Sequence, residues 1–300
     1  MPHRRLVDLA RVGMAGKGSS AMALRRRRPY SKQVATLLAT VVRAKQFVRG
    51  DGDQQPPLAQ LVSTGGRGGA AAVKLYLALI WRCSAAPFDT DISARKWAAL
   101  QDLEDPTHKG ARRVTAALQR LAGRKLIRVE ERRGESSKIT LLDESASGRA
   151  YSLPSTAYTL GKPAEKPGHI YFKVPVSLWT SGHLQDMSAA ALAMLLAMLA
   201  ETTEPRRKIW WSAELFPSEF AISPAMRARG PRELVQRRLL LVQKQLVQDS
   251  PKRDFGKERV RNLYQLINEA EPRPTETPPT PKAKRPRRST GRPKTAASVR

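Results

Sequence analysis

Four histidines, His3, His108, His169 and His183, lie far apart in the chain, and the single cysteine, Cys83, cannot complete a zinc site with them. Neither a structural metal nor a cofactor is expected. Ala15-Gly16-Lys17-Gly18 lacks both the spacing and the hydroxyl of a phosphate-binding loop, so nucleotide hydrolysis has no support. No His-x-His pair accompanies a tyrosine, which argues against metal-dependent nicking of DNA, and no catalytic residue is assigned. The carboxylates are few and interleaved with basic residues, as in Arg128-Val129-Glu130-Glu131-Arg132, and read as surface charge. What remains is a set of guanidinium and amide side chains at helical spacing. Between Gly110 and Gly123, Val114, Ala117, Leu118 and Leu121 form one apolar stripe, and Arg112, Ala116, Gln119 and Gly123 point away from it. Lys109, Arg113 and Arg120 flank that outer face. Small residues allow close approach to a duplex, while Arg and Gln offer paired hydrogen bonds to guanine and adenine edges. Any surface helix in so basic a chain displays arginines, so the inference concerns the helix more than each residue on it.

The whole chain carries 54 Lys+Arg against 26 Asp+Glu, a formal charge of +28. That excess points to a polyanion, with double-stranded DNA the leading partner. A membrane partner is not expected, because the longest apolar run, Ala189 to Ala200, has 12 residues where a span needs ~20. Met1 to Ser20 holds arginines without a following apolar region, so no secretory signal is read there. One cysteine fits a reducing compartment, and Cys83 is expected as a buried structural thiol. These bounds imply a cytoplasmic, nucleoid-associated protein.

The elements that would position the reading residues are legible in Ser188 to Asn268. Ser188 caps an apolar run to Ala200 that reads as a buried helix. A second helix is expected from Ser212 to about Phe220, then a turn at Ala221-Ile222. Ser223-Pro224, a cap with proline in the first turn, starts a third helix carrying Arg227, Arg229 and Arg232. Leu239 to Gln245 and Arg259 to Leu266 follow as strands, the second with Val260, Asn262, Tyr264 and Leu266 on one face. Their loop holds Lys252, Arg253 and Lys257. Three helices followed by a basic hairpin make a winged helix-turn-helix. Gly230-Pro231 interrupts the third helix, which is expected either to kink there or to begin its regular part at Pro231.

An earlier copy of this pattern starts at Ala70. Ala70 to Ile80 matches Ala189 to Leu199, Ser93 to Gln101 matches Ser212 to Phe220, and Arg124 to Val129 matches Arg237 to Val242. A longer turn, Leu103 to Gly110, separates the second and third helices of this copy. Its hairpin spans Arg128 to Lys138, with Arg132, Arg133 and Lys138 near a turn at Gly134, suited to phosphate contact. The expected fold is therefore mainly α with small β-hairpins (α+β): two winged helix-turn-helix domains in tandem, with disordered basic termini.

In order, the chain divides into a disordered basic arm (1–30), an amphipathic helix (31–49) that could pack on the first unit or mediate self-association as a homodimer, and a Gly/Pro-rich linker (50–69). The first domain (70–143), a second linker (144–168), the second domain (169–270) and a disordered basic tail (271–300) follow. His169 to Pro175 should cover an edge of the second unit, and Trp179, Trp210 and Trp211 are expected in core or interface positions. In the tail, Gly291-Arg292-Pro293 is similar to the centre of an AT-hook, whose extended arginine lies in a narrow minor groove.

Gly230-x-Arg232-Glu233-Leu234, Arg253-Asp254-Phe255 and Arg259-Val260-Arg261-Asn262-Leu263-Tyr264, within Ile209 to Leu266, resemble actinobacterial winged-helix DNA-binding proteins. In those, an aromatic residue is expected where this chain has Pro231. The doubled arrangement also resembles plasmid replication initiators. The resemblance implies duplex binding, either by a sequence-specific transcriptional regulator or by an initiator of plasmid or integrative-element replication or partition acting on repeated origin sites. A nucleoid-packaging or RNA-binding protein relying on the tails is a further class.

Overall fold

The computed structural model describes residues 40–50, 54–63, 66–153, 156, 170–202, 204–247 and 259–272. The first described segment departs from the amphipathic helix expected over 31–49. Thr40–Arg43 is a strand, β1, followed by one π-helical turn at Ala44–Val48. Thr40, Val41 and Val42 are β-branched, which favours an extended backbone once a partner strand is present. The expected linker over 50–69 also contains structure. Pro57 starts a short helix, α1 (Pro57–Ser63), that buries Leu58, Leu61 and Val62. The next helix, α2 (Gly66–Arg82), begins four residues earlier than the pattern suggested. Its glycines serve an approach: a Cβ on Gly69 would stand 2.7 Å from the Leu61 carbonyl oxygen. Packing of α1 on α2 outweighs the weak helix propensity of Gly.

From Ala70 to Ile80 every residue of α2 is buried. A two-residue strand, β2 (Asp89–Thr90), leads to α3 (Ala94–Leu100) and then α4 (Lys109–Gly123). Val114, Ala117, Leu118 and Leu121 of α4 are all buried, as their spacing requires. Asp105 closes the start of α4, its carbonyl accepting from Gly110 N at 2.8 Å. The hairpin β3 (Ile127–Glu130) and β4 (Lys138–Leu141) turns at Gly134, whose φ of +77° suits glycine. These strands join in the order β2-β4-β3, antiparallel throughout. Order continues into the expected linker at 144–168: Leu142 bridges to Ala150, and Glu144 and Tyr151 are buried.

The second unit begins with β5 (Tyr171–Val174) and the short helices α5 (Val176–Thr180) and α6 (His183–Asp186). Helix α7 (Ala189–Glu201) has no polar face and is buried from Ala191 to Leu199, each enclosed leucine contributing ~1.5–3 kcal/mol. Ser188 caps it, its Oγ accepting from Ala191 N at 3.2 Å. Ile209 then pairs with Tyr264 through two backbone hydrogen bonds, taking the place that β2 has in the first unit. Helices α8 (Leu215–Phe220) and α9 (Pro224–Gln236) and strands β6 (Leu240–Val247) and β7 (Arg259–Leu266) complete the same order. Helix α9 runs through Pro231, so its regular part starts at Pro224 and not at Pro231. Gly230 and Pro231 form its buried face, and a Cβ at Gly230 would lie 2.4 Å from the Ala190 carbonyl oxygen of α7. The absent side chain lets two helix backbones touch.

The two third helices end alike. Lys125 and Arg238 are both left-handed, with φ of +55° and +60°. The following Leu126 and Leu239 donate their N–H groups back to Leu121 and Leu234 carbonyls, and both leucines are buried. Asp102 after α3 and Ala221 after α8 are left-handed as well. These matching turns fix the register of the repeat independently of side-chain type.

A single apolar core runs through both units. Helix α2 packs on α7, and β1 pairs with β5 from Thr40↔Val174 to Arg43↔Tyr171. Arg49 ion-pairs Glu201 of α7 at 2.8 Å and also meets Glu219 of α8. The segment that precedes the first unit thus packs against the second. Among the described residues no helix is long and apolar enough to cross a membrane.

Candidate nucleic-acid interface

Helix α4 presents Lys109, Arg112, Thr115, Ala116, Gln119 and Gly123 to solvent. It contains no carboxylate from Lys109 to Gly123, so its outer face is uniformly cationic or neutral. Arg113 is half-buried and turns toward a cleft of about 610 Å³ between the units. Arg120 does not share the outer face. Its guanidinium lies 3.2 Å from where a Gly68 Cβ would be, and its Nη1 is buried against α2, so it is a packing residue and not a groove residue. The α3 helix adds two exposed cations that the sequence reading missed, Arg95 and Lys96, adjacent to the buried Trp97 and Ala98. Their signal was a pair of charges just outside a buried pair.

In the β3–β4 hairpin Arg132 and Arg133 are exposed at the turn, with Arg132 only 3.8 Å from Glu135. Lys138 is different. Its Nζ is 2.9 Å from the Asp89 carboxylate and it is half-buried, so it ties β4 to β2 and is withdrawn from the expected phosphate-binding set.

On α9, Arg229 and Arg232 are exposed beside Ala225, Ala228 and Gln236. Arg227 points inward, which removes it from the outer face. It stacks over the Phe216 ring at 4.5 Å and reaches the Ser212 and Trp211 carbonyls at 3.3 and 3.4 Å. This position matches the core residue Val114, and the aromatic ring with its neighbouring carbonyls is what allows a cation to replace an aliphatic side chain there. Lys252, Arg253, Lys257 and Arg292 lie outside the described residues. So do Arg25 to Arg28. Trp211 packs on Phe216, Phe220 and Tyr264, whereas Trp210, expected in core or interface, is about half exposed beneath Arg261 at 4.6 Å.

The cleft between the units is lined by Lys74, Gln101, Arg113, Asp186, Ser188 and Glu233, among others. Burial pushes the Lys74 amine down to about 8; Asp186 and Glu233 pull it back up, and Arg237 and Arg113 oppose them. Its Nζ donates to the Gln185 carbonyl at 2.7 Å. Burial raises Glu233, but hydrogen bonds from Ser188 and the Arg237 guanidinium outweigh it and hold the carboxyl below its ordinary range. Cys83 is buried and its thiol is pushed up to about 12, chiefly by that burial. Among the described residues no group of His, Cys, Asp and Glu could hold a metal ion.

No protein-family description matches the chain, and no curated protein or solved structure is found similar to it.

Proposed function

We propose that this chain binds double-stranded DNA through two winged helix-turn-helix units in tandem, as a sequence-specific regulator that catalyses no reaction on the duplex. One observation carries the reading. The same order of helix, short strand or single bridge, two helices and hairpin occurs twice, and each time the third helix turns small and cationic side chains outward. In the first unit Arg112 and Gln119 face base edges, Arg95 and Lys96 meet the phosphates from the preceding helix, and Arg132 and Arg133 do so from the hairpin. The formal charge of +28 supplies the long-range attraction that brings a duplex to these faces.

The test is a titration of labelled duplexes, selected and random, across a salt series. Binding is expected to weaken steeply with salt, since each neutralised phosphate releases counterions. Arg112→Ala should weaken binding to the preferred duplex by ~1–3 kcal/mol and leave binding to random duplex nearly unchanged. An equal loss on both would reduce Arg112 to a phosphate contact, and absence of duplex binding at low salt would end the reading.

A further inference from the structure

The two third helices have the same backbone register and different outer faces. With Lys125 set against Arg238, and Leu126 against Leu239, Arg112 stands where α9 has Ala225. Ala116 likewise stands opposite Arg229, and Gln119 opposite Arg232. All six positions are exposed. An arginine with a glutamine suits a guanine and an adenine; two arginines one turn apart suit guanines. The helices ahead of them differ too. Aligned on Asp102 and Ala221, the exposed Arg95 and Lys96 of α3 correspond to Glu214, just before α8, and Leu215, its first residue, both also exposed. The second unit therefore lacks the first unit's phosphate-binding pair and cannot dock by an identical set of contacts.

A single cleft lies between the two third helices. Arg113, adjacent to Arg112, and Glu233, adjacent to Arg232, line the same cleft. Beneath it α2 packs on α7 in one continuous core, and Lys74 of α2 is bonded across to the Gln185 carbonyl. The reading helices flank a common opening and cannot slide past one another without breaking that core.

We infer that one copy of the chain recognises a single asymmetric duplex site, built of two unlike half-sites at a fixed spacing. The inference rests on the proposed duplex binding and adds to it the form of the target. A palindrome would need two copies related by a two-fold axis, and a direct repeat would need two reading helices with like faces. Neither condition follows from the exposed residues.

The experiment is selection from random duplexes with the full chain, followed by binding measurements on the selected site. The expected motif is non-palindromic, with two dissimilar blocks, bound by one chain per duplex. Replacing Arg229 and Arg232 together by alanine should lower discrimination about tenfold to a hundredfold at one block and leave the other unchanged. Their exposure makes a folding defect avoidable, and an unchanged unfolding midpoint checks it. Inserting one base pair between the blocks rotates one against the other by about 35° and should weaken the site at least tenfold. A palindrome, two copies of one block, or tolerance of the insertion would overturn the inference while leaving duplex binding intact. Failure to bind any duplex would overturn the underlying reading instead.

Discussion

The arginines of α4 and α9 do not share one fate. Arg112, Arg229 and Arg232 stand in solvent, Arg120 lies against Gly68, and Arg227 is folded over Phe216. What decides the fate is the helix position and the groups waiting there, not the residue type. Arg227→Ala should therefore lower stability by ~1 kcal/mol, through loss of the ring contact and the carbonyl hydrogen bonds. Its effect on duplex binding should be smaller than that of Arg229→Ala; the reverse order in a binding titration would place Arg227 on the outer face. Lys74 makes a second residue-scale case. Its amine is lowered in the folded state from 10.5 to about 8, so between those values the unfolded chain holds more protons than the folded one. Stability then rises with pH across that window, and the burden of a buried charge is fully present below about 8. The size of the effect is of order 3 kcal/mol at most. Lys74→Met should flatten that rise. Urea midpoints at pH 7 and pH 9.5 for both proteins test it, and parallel profiles would show that the amine is not the group responsible.

At the scale of elements, Gly230 is the point on which the second unit turns. A methyl group there would meet the Ala190 carbonyl oxygen at 2.4 Å and Met194 Cγ at 2.5 Å, and a backbone atom cannot move aside as a side chain does. Gly230→Ala should lower stability by ~1–3 kcal/mol in spite of alanine's better helix propensity. A denaturation midpoint equal to or above that of the parent chain would mean that α7 and α9 do not approach so closely. The buried faces of α4 and α9 explain how far the sequence could be read. The stripe of α4 was legible because Val114, Ala117, Leu118 and Leu121 announce a buried face by their apolarity. In α9 that face is made of Arg227, Gly230, Pro231 and Leu234, and three of those four carry no such signal. Strand β7 was legible because Val260, Asn262, Tyr264 and Leu266 share one face, of which Tyr264 and Leu266 are buried, whereas β6 is exposed over most of its length and carries no such period. By contrast β2 is two residues long and its counterpart is the single bridge at Ile209, too short for any period to register. The strand at Thr40–Arg43 was missed for a different reason. Its partner, Tyr171–Val174, is remote in sequence, and only that pairing selects strand over helix.

At the scale of the molecule, the repeat suggests two bodies joined by linkers, and the packing joins them more tightly than that. The segment 40–50 precedes the first unit but pairs with β5 and, through Arg49, with Glu201 and Glu219 of the second. To part the units the chain must break the β1–β5 pairing, separate α2 from α7 and expose the buried Phe47 and Val48. Opening that much apolar surface removes a large share of the stabilisation that each small unit would have by itself. Unfolding should then be a single cooperative transition, with both units lost together. The tryptophans make this measurable, since Trp97 is buried in the first unit and Trp211 packs among Phe216, Phe220 and Tyr264 in the second. With the remaining tryptophans replaced by phenylalanine, chains keeping only Trp97 or only Trp211 should report the same urea midpoint. The Arg49→Ala change removes the countercharge from two neighbouring carboxylates and should lower both midpoints by a similar amount. If only the Trp211 signal moved, or if the two probes reported separate transitions in the parent background, the units would be independent bodies. The fixed spacing of the two third helices, on which the proposed asymmetric site rests, would then lose its physical basis.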